Sequence, residues 1–155
     1  MIRSLSLITG LLFAGPALAD RPEAGAMVGA THFAANGYGA GGWAVGVRGG
    51  YRMEGGLTPE ATLSTHMTDA YDQVVLGAGV RYYFMRVSET WQPFAIGHLA
   101  YATKSPGGLG LTTGGGAIYR INRDFFAEAL ASYHLTLDDT AFNITTIGLG
   151  GGMKF

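Results

Sequence analysis

Four charged residues, Arg48, Glu60, Arg81 and Glu128, stand inside stretches whose apolar residues recur at every second position. Where that alternation is clear, each charge falls opposite the apolar set, so the charges project toward one polar face. Two arginines facing two glutamates have the chemistry of a salt-bridge layer that fills a narrow interior, or of an ion gate. Three histidines, His32, His66 and His134, fall near the other ends of their strands. If all three point inward they converge as a metal site or a pH-sensitive plug; the plainer role is hydrogen bonding to nearby loops. Gly37-Tyr38-Gly39-Ala40-Gly41-Gly42 matches a dinucleotide fingerprint, but that reading needs a helix directly after it. The residues from Trp43 onward are strand-like instead, so Ala34–Gly42 reads as an outward loop.

The elements that must position these residues are eight segments of strand character. They are Gly25–Phe33, Trp43–Arg52, Leu57–Met67, Gln73–Phe84, Phe94–Ala102, Gly110–Tyr119, Phe125–Leu135 and Phe142–Phe155. Each has about the 9–11 residues that a tilted strand needs to cross a bilayer. Turn signals separate them, among them Asn36-Gly37, Glu54-Gly55-Gly56 and Asn122-Arg123-Asp124. The alternation is clearest in the third segment. Leu57, Pro59, Ala61, Leu63 and Met67 form one face, and Thr58, Glu60, Thr62, Ser64 and His66 the other. In the fifth, Phe94 and Ile96 share a face with His98, and the phase stays open. The triplets Gly114–Gly116 and Gly150–Gly152 lie within strands, where glycine gives room for neighbouring aromatic rings.

Export is written at the start. Arg3 precedes an apolar stretch from Leu5 to Phe13, Gly15 and Pro16 break it, and Ala17-Leu18-Ala19 supplies a cleavage pattern before Asp20. Residues 1–19 are therefore read as a signal peptide and residues 20–155 as the folded domain. The chain has no cysteine, which removes a disulfide framework and thiolate chemistry. Its charged fraction is 14%, against about 25% in ordinary soluble domains. The net charge of −1 gives no basic face for nucleic acid.

An apolar, exported chain without a helix long enough to span a bilayer poses a puzzle that a membrane β-barrel solves. The expected fold is all-β, an eight-stranded antiparallel up-and-down transmembrane barrel. Alternation alone also fits a soluble barrel with its apolar face inward. The soluble form would need more surface charge than this chain owns. Aromatic residues also gather at the strand ends: Tyr51, Phe84, Phe94, Tyr119, Phe125 and Phe155 at one rim, Phe33, Trp43, Tyr101, Tyr133 and Phe142 at the other. Two aromatic girdles are what two bilayer interfaces select.

The closing segment Gly148-Leu149-Gly150-Gly151-Gly152-Met153-Lys154-Phe155 resembles the C-terminal signal of bacterial outer-membrane barrels. Its terminal aromatic, the apolar residue two places earlier and a glycine three before that are Phe155, Met153 and Gly150. Internal phrases such as Gly79-Val80-Arg81-Tyr82-Tyr83-Phe84 and Gln92-Pro93-Phe94-Ala95-Ile96-Gly97 resemble the small OmpA-type and OmpX-type barrels. The resemblance implies a bacterial outer-membrane location and contact with outer-membrane lipid and lipopolysaccharide. It also implies that the barrel-assembly machinery reads the last strand, and it suits a monomer. The sequence departs from full OmpA-type proteins in having no peptidoglycan-binding module after the barrel. It departs from OmpX-like adhesins in its short outward loops.

Some barrels of this size modify lipid A, so an enzyme must be weighed. The deacylase kind carries His-x-Ser with a glutamate on the outer face. Here Ser132-Tyr133-His134 reverses that order, and Glu128 shares their inward phase. The palmitoyltransferase kind uses His, Asp and Ser at the outer rim; His32 and Asp69 exist, but no serine follows Asp69. The reading is therefore a non-enzymatic envelope protein with a mostly plugged lumen, no cofactor and no metal, structural or passing only very small solutes. The alternatives are a lipid-modifying enzyme, and an adhesin that binds through Ala34–Gly42 and Thr103–Leu109.

Overall fold

Alternating side chains and frequent turns fold here into one continuous sheet that closes on itself. The computed structural model describes residues 19–35, 37–69, 71–84, 90–104, 107–137 and 142–155. The expected signal peptide up to residue 18 lies outside them. The strands are β1 (Ala19–Ala35), β2 (Tyr38–Met53), β3 (Leu57–Thr68), β4 (Asp72–Tyr83), β5 (Trp91–Ala102), β6 (Gly108–Arg120), β7 (Phe125–Thr136) and β8 (Phe142–Lys154). Each pairs antiparallel with the next, and β1 pairs with β8 from Glu23↔Lys154 to Ala35↔Phe142. Closure gives the backbone groups of every strand partners on both sides, which a sheet in hydrocarbon requires.

All eight expected segments are strands. The main differences lie at the ends. β1 begins six residues before Gly25, and β2 begins at Tyr38, so Ala34–Gly42 is a continuation of two strands and not a loop. The hairpin turns at Gly37, whose φ of 81° suits a residue without a Cβ. At the other end Gly55 and Gly56, with φ of 82° and 86°, close the tight β2–β3 turn. β5 begins at Trp91, three residues before Phe94, and residues 85–89 lie outside the described set. Of the Thr103–Leu109 loop, Gly108 and Leu109 already belong to β6, and residues 105–106 are not described.

The faces obey the period of two. Outward positions are apolar and exposed: Val47 on β2, Leu63 on β3, Leu76 on β4, Leu99 on β5, and Ile147 and Leu149 on β8 at 67% and 69%. Between the two rims, no outward position among the described residues carries a charge. A lipid-facing arginine or lysine near the midplane would cost roughly 2–4 kcal/mol, so this exterior suits hydrocarbon. Trp43, Tyr101 and Tyr133 face outward at one rim, and Phe84, Trp91, Tyr119, Phe125 and Phe155 at the other.

Three residues assigned to the girdles belong elsewhere. Phe33, Phe94 and Phe142 are 1–2% exposed and fill the lumen. The fifth strand takes the phase that puts Phe94, Ile96 and His98 inside and Leu99 and Tyr101 outside. An apolar residue loses nothing by facing a lumen this narrow, because the lumen is packed like a core.

Candidate functional site

The lumen is built in layers, running from the mouth beside the β1–β2 hairpin toward the end where β1 starts and β8 finishes. The outer layer is apolar. Phe33, Val75, Ala100, Ala102, Phe142 and Ile144 pack together, and the Phe33 ring lies 5.1 Å from Phe142 and 5.0 Å from Tyr71. Two polar clasps hold the connections above it. The Gln73 side chain donates to the Lys104 carbonyl at 3.0 Å, and the Thr136 hydroxyl both donates to the Phe142 carbonyl and accepts from its N–H.

Beneath this plug lies a polar band. Thr31 Oγ1 is 3.1 Å from His66 Nδ1, Ser64 Oγ is 2.9 Å from His66 Nε2, and Thr112 Oγ1 is 2.9 Å from His134 Nδ1. The histidine expectation thus divides. His66 and His134 are buried in the lumen, while His32 is exposed on the outer face of β1, the wrong side for a lumen site. Its place is dictated by β1 itself, where Thr31 and Phe33 take the inward positions on either side. Among the described residues, no group of three His, Cys, Asp or Glu is placed to hold a metal ion. A cavity of about 80 Å³ separates this band from the next layer, with Ser64, His66, Thr112 and His134 on one side and Glu60, Arg81 and Glu128 on the other. Its walls are mostly apolar, with these polar groups at its two ends.

The next layer brings Arg48, Glu60, Arg81 and Glu128 into one network. Glu128 Oε2 accepts from Arg81 at 2.7 Å and from Arg48 at 2.9 Å. Glu60 Oε2 accepts from Arg81 Nε at 3.0 Å and lies 3.5 Å from Arg48. Each residue comes from a different strand, and the small lumen-facing neighbours Gly46, Gly50, Gly77 and Gly79 leave room for the long side chains. Three further members join that the alternation pattern had not singled out. Glu23 Oε1 accepts from Arg48 at 2.7 Å and from the Tyr83 hydroxyl at 2.9 Å, and His98 Nε2 lies 2.9 Å from Glu60 Oε1. The signal for Glu23 was present: Glu23, Gly25, Met27, Gly29, Thr31 and Phe33 hold one inward phase.

The charges rest on an aromatic shelf formed by Tyr83, Phe94, Ile96, Ile118 and Phe126. Arg81 stacks 4.1 Å from the Phe94 ring centre, and Arg48 sits 5.2 Å from that of Phe126. Gly116 and Gly152 matter here, because a Cβ at either position would meet the Phe94 or the Phe126 ring. Below the shelf, at the inner mouth, lie Arg52, Arg120 and Lys154.

Of the residues weighed for a lipid-modifying site, Glu128, Ser132 and His134 lie within these layers. Glu128 is engaged by two arginines, and His134 pairs with Thr112 and not with Ser132. Both Ser132 and His134 face inward, away from the outer surface that a lipid substrate would contact. At the C-terminus, Met153 and Phe155 face outward beside the inner girdle, and Gly150 faces the lumen.

No family model matches the chain, and no curated protein matches its sequence. Solved structures do match. Neisserial surface protein A is 16% identical with a TM-score of 0.75, covering 86% of this chain and 97% of its own. The N-terminal barrel of OprF from Pseudomonas aeruginosa is 17% identical with a TM-score of 0.61, covering 84% and 97%. The outer-membrane enzyme PagL is 16% identical with a TM-score of 0.55, covering 84% and 97%. At such identities the likeness lies in the fold, which is that of the small eight-stranded outer-membrane barrels.

Proposed function

We propose that this chain is a non-catalytic structural protein of the bacterial outer membrane, its barrel closed to solutes by side chains of its own lumen. The observation that carries this reading is the stacking of three occluding layers: the Phe33–Phe142 plug, the buried charge network and the aromatic shelf. A conducting barrel keeps a continuous wet path. Here Arg81, Tyr83, Ile118 and Phe142 are each at most 2% exposed, at successive depths of the same lumen. The uncharged apolar exterior between two aromatic rims supports the membrane location.

Gly150, Met153 and Phe155 supply the assembly signal in this reading, with the last two side chains outward where an assembly factor reaches them. The test is fractionation of cells that make the full chain or a Phe155 deletion. The full chain is expected in the outer membrane with heat-modifiable gel mobility, and the deletion at a several-fold lower level. Recovery of the full chain as a detergent-free periplasmic monomer would refute the membrane reading. Equal insertion of the deletion would refute the role of Phe155.

A further inference from the structure

The inner mouth holds three cations that the lumen network does not use. Arg52 is 2% exposed, and its Nε and both terminal nitrogens are buried without a hydrogen-bond partner. Lys154 is 7% exposed with its Nζ equally unpartnered, and Arg120 Nε is buried in the same state. All three take inward positions at the same end of the barrel, near the ends of β2, β6 and β8. Burying like charges together without partners is unfavourable unless something negative joins them.

Among the described residues, Glu23 stands opposite Lys154 in the β1–β8 register but makes no hydrogen bond to Lys154 or Arg52. Glu60 and Glu128 are held by Arg48 and Arg81, and one oxygen of Glu23 is held by Arg48 and Tyr83. Only Glu23 Oε2 is unengaged. Three carboxylates thus stand against two arginines in the network and three more cations below it. Counting these described groups alone, three carboxylates stand against five cations, an excess of two positive charges.

The geometry also selects the kind of ligand. The Arg52 guanidinium carbon sits over the Tyr83 ring, 3.8 Å from its centre, and Lys154 Nζ is 5.9 Å from the centre of the Phe126 ring. Stacking occupies a face of the guanidinium, while its in-plane N–H groups are buried and carry no partner. That planar fork matches two oxygens of one oxyanion, while an ammonium adds a point charge beside it.

We infer that the inner mouth is a binding site for a phosphate-type oxyanion, held by Arg52 with Lys154 and Arg120. The two-charge excess matches a phosphate dianion. The same oxyanion chemistry comes from a free phosphate or, as a singly charged phosphodiester, from the headgroup of a phospholipid in the adjoining leaflet.

The test uses the full barrel, refolded in zwitterionic detergent, with inorganic phosphate as the probe and ionic strength held constant with sodium chloride. Calorimetric titration is expected to show saturable binding at one site. Arg52→Gln and Lys154→Gln should each weaken it about tenfold, the scale of a lost charge-assisted contact, and Arg123→Gln on the exposed turn should leave it unchanged. If Arg52→Gln does not refold, Lys154→Gln at the rim carries the comparison. Repeating the titration in nanodiscs assigns the source. A headgroup ligand would block phosphate in phosphatidylglycerol discs but not in phosphatidylcholine discs, and a soluble ligand would bind in both. Absence of saturable phosphate binding in detergent, or equal binding by the Arg52, Lys154 and Arg123 variants, would overturn the site.

Discussion

Replacing Glu60 with alanine is expected to cost about 3–5 kcal/mol of unfolding free energy, the scale for removing one partner from a buried ion pair. Glu60 is 3% exposed and meets Arg81 at 3.0 Å, Arg48 at 3.5 Å and His98 at 2.9 Å. Its loss leaves a guanidinium short of a counter-charge in a site that bulk water does not reach. Removing Glu60 and Arg81 together should cost clearly less than the two single changes combined, because neither charge is then stranded. The coupling is read from a double-mutant cycle on unfolding in phospholipid vesicles. A coupling within about 0.5 kcal/mol of zero would mean that this pair does not interact.

Phe126→Ala should be comparably severe, at about 3–5 kcal/mol for a fully buried phenylalanine. The ring is 2% exposed, belongs to the shelf with Tyr83, Phe94, Ile96 and Ile118, and has Arg48 within cation–π distance at 5.2 Å. The neighbouring Phe125 faces outward and is 48% exposed, so Phe125→Ala should cost about 1 kcal/mol or less. The contrast between consecutive phenylalanines tests the phase of β7 directly. Equal costs for the two, from the same vesicle unfolding measurement, would contradict the inward shelf.

How much of this was legible in the sequence depends on what each residue gains by its position. Strand number and the faces of β2, β3 and β4 were legible because polar residues such as Thr58, Thr62 and Ser64 cannot profitably face hydrocarbon. The inward phase of Arg48, Glu60, Arg81 and Glu128 came from the same asymmetry. It fails for apolar residues, since a lumen filled by side chains is as dry as the lipid outside. Phe33, Phe94 and Phe142 therefore read as girdle residues although they plug the barrel, and β5 had no readable phase.

The remaining differences have equally local causes. Alternation carried past Gly25 would have brought Glu23 into the strand and into the charge layer. A glycine-rich run suggested a loop at Ala34–Gly42, yet β1 runs to Ala35 and β2 starts at Tyr38, with Gly37 at positive φ before it. His32 is exposed on the outer face at the strand end, where an imidazole stays wet beyond the hydrocarbon, so its polarity did not betray its face. The inner cation cluster was out of reach, because Arg52, Arg120 and Lys154 meet only through barrel closure.

Closure of the lumen is most directly tested by conductance in planar lipid bilayers. The intact barrel is expected to insert without opening a resolvable channel at moderate voltage, because the Phe33–Phe142 plug, the arginine–glutamate layer and the aromatic shelf block one path in series. A stable, reproducible unitary conductance from the purified, folded protein would contradict a closed lumen.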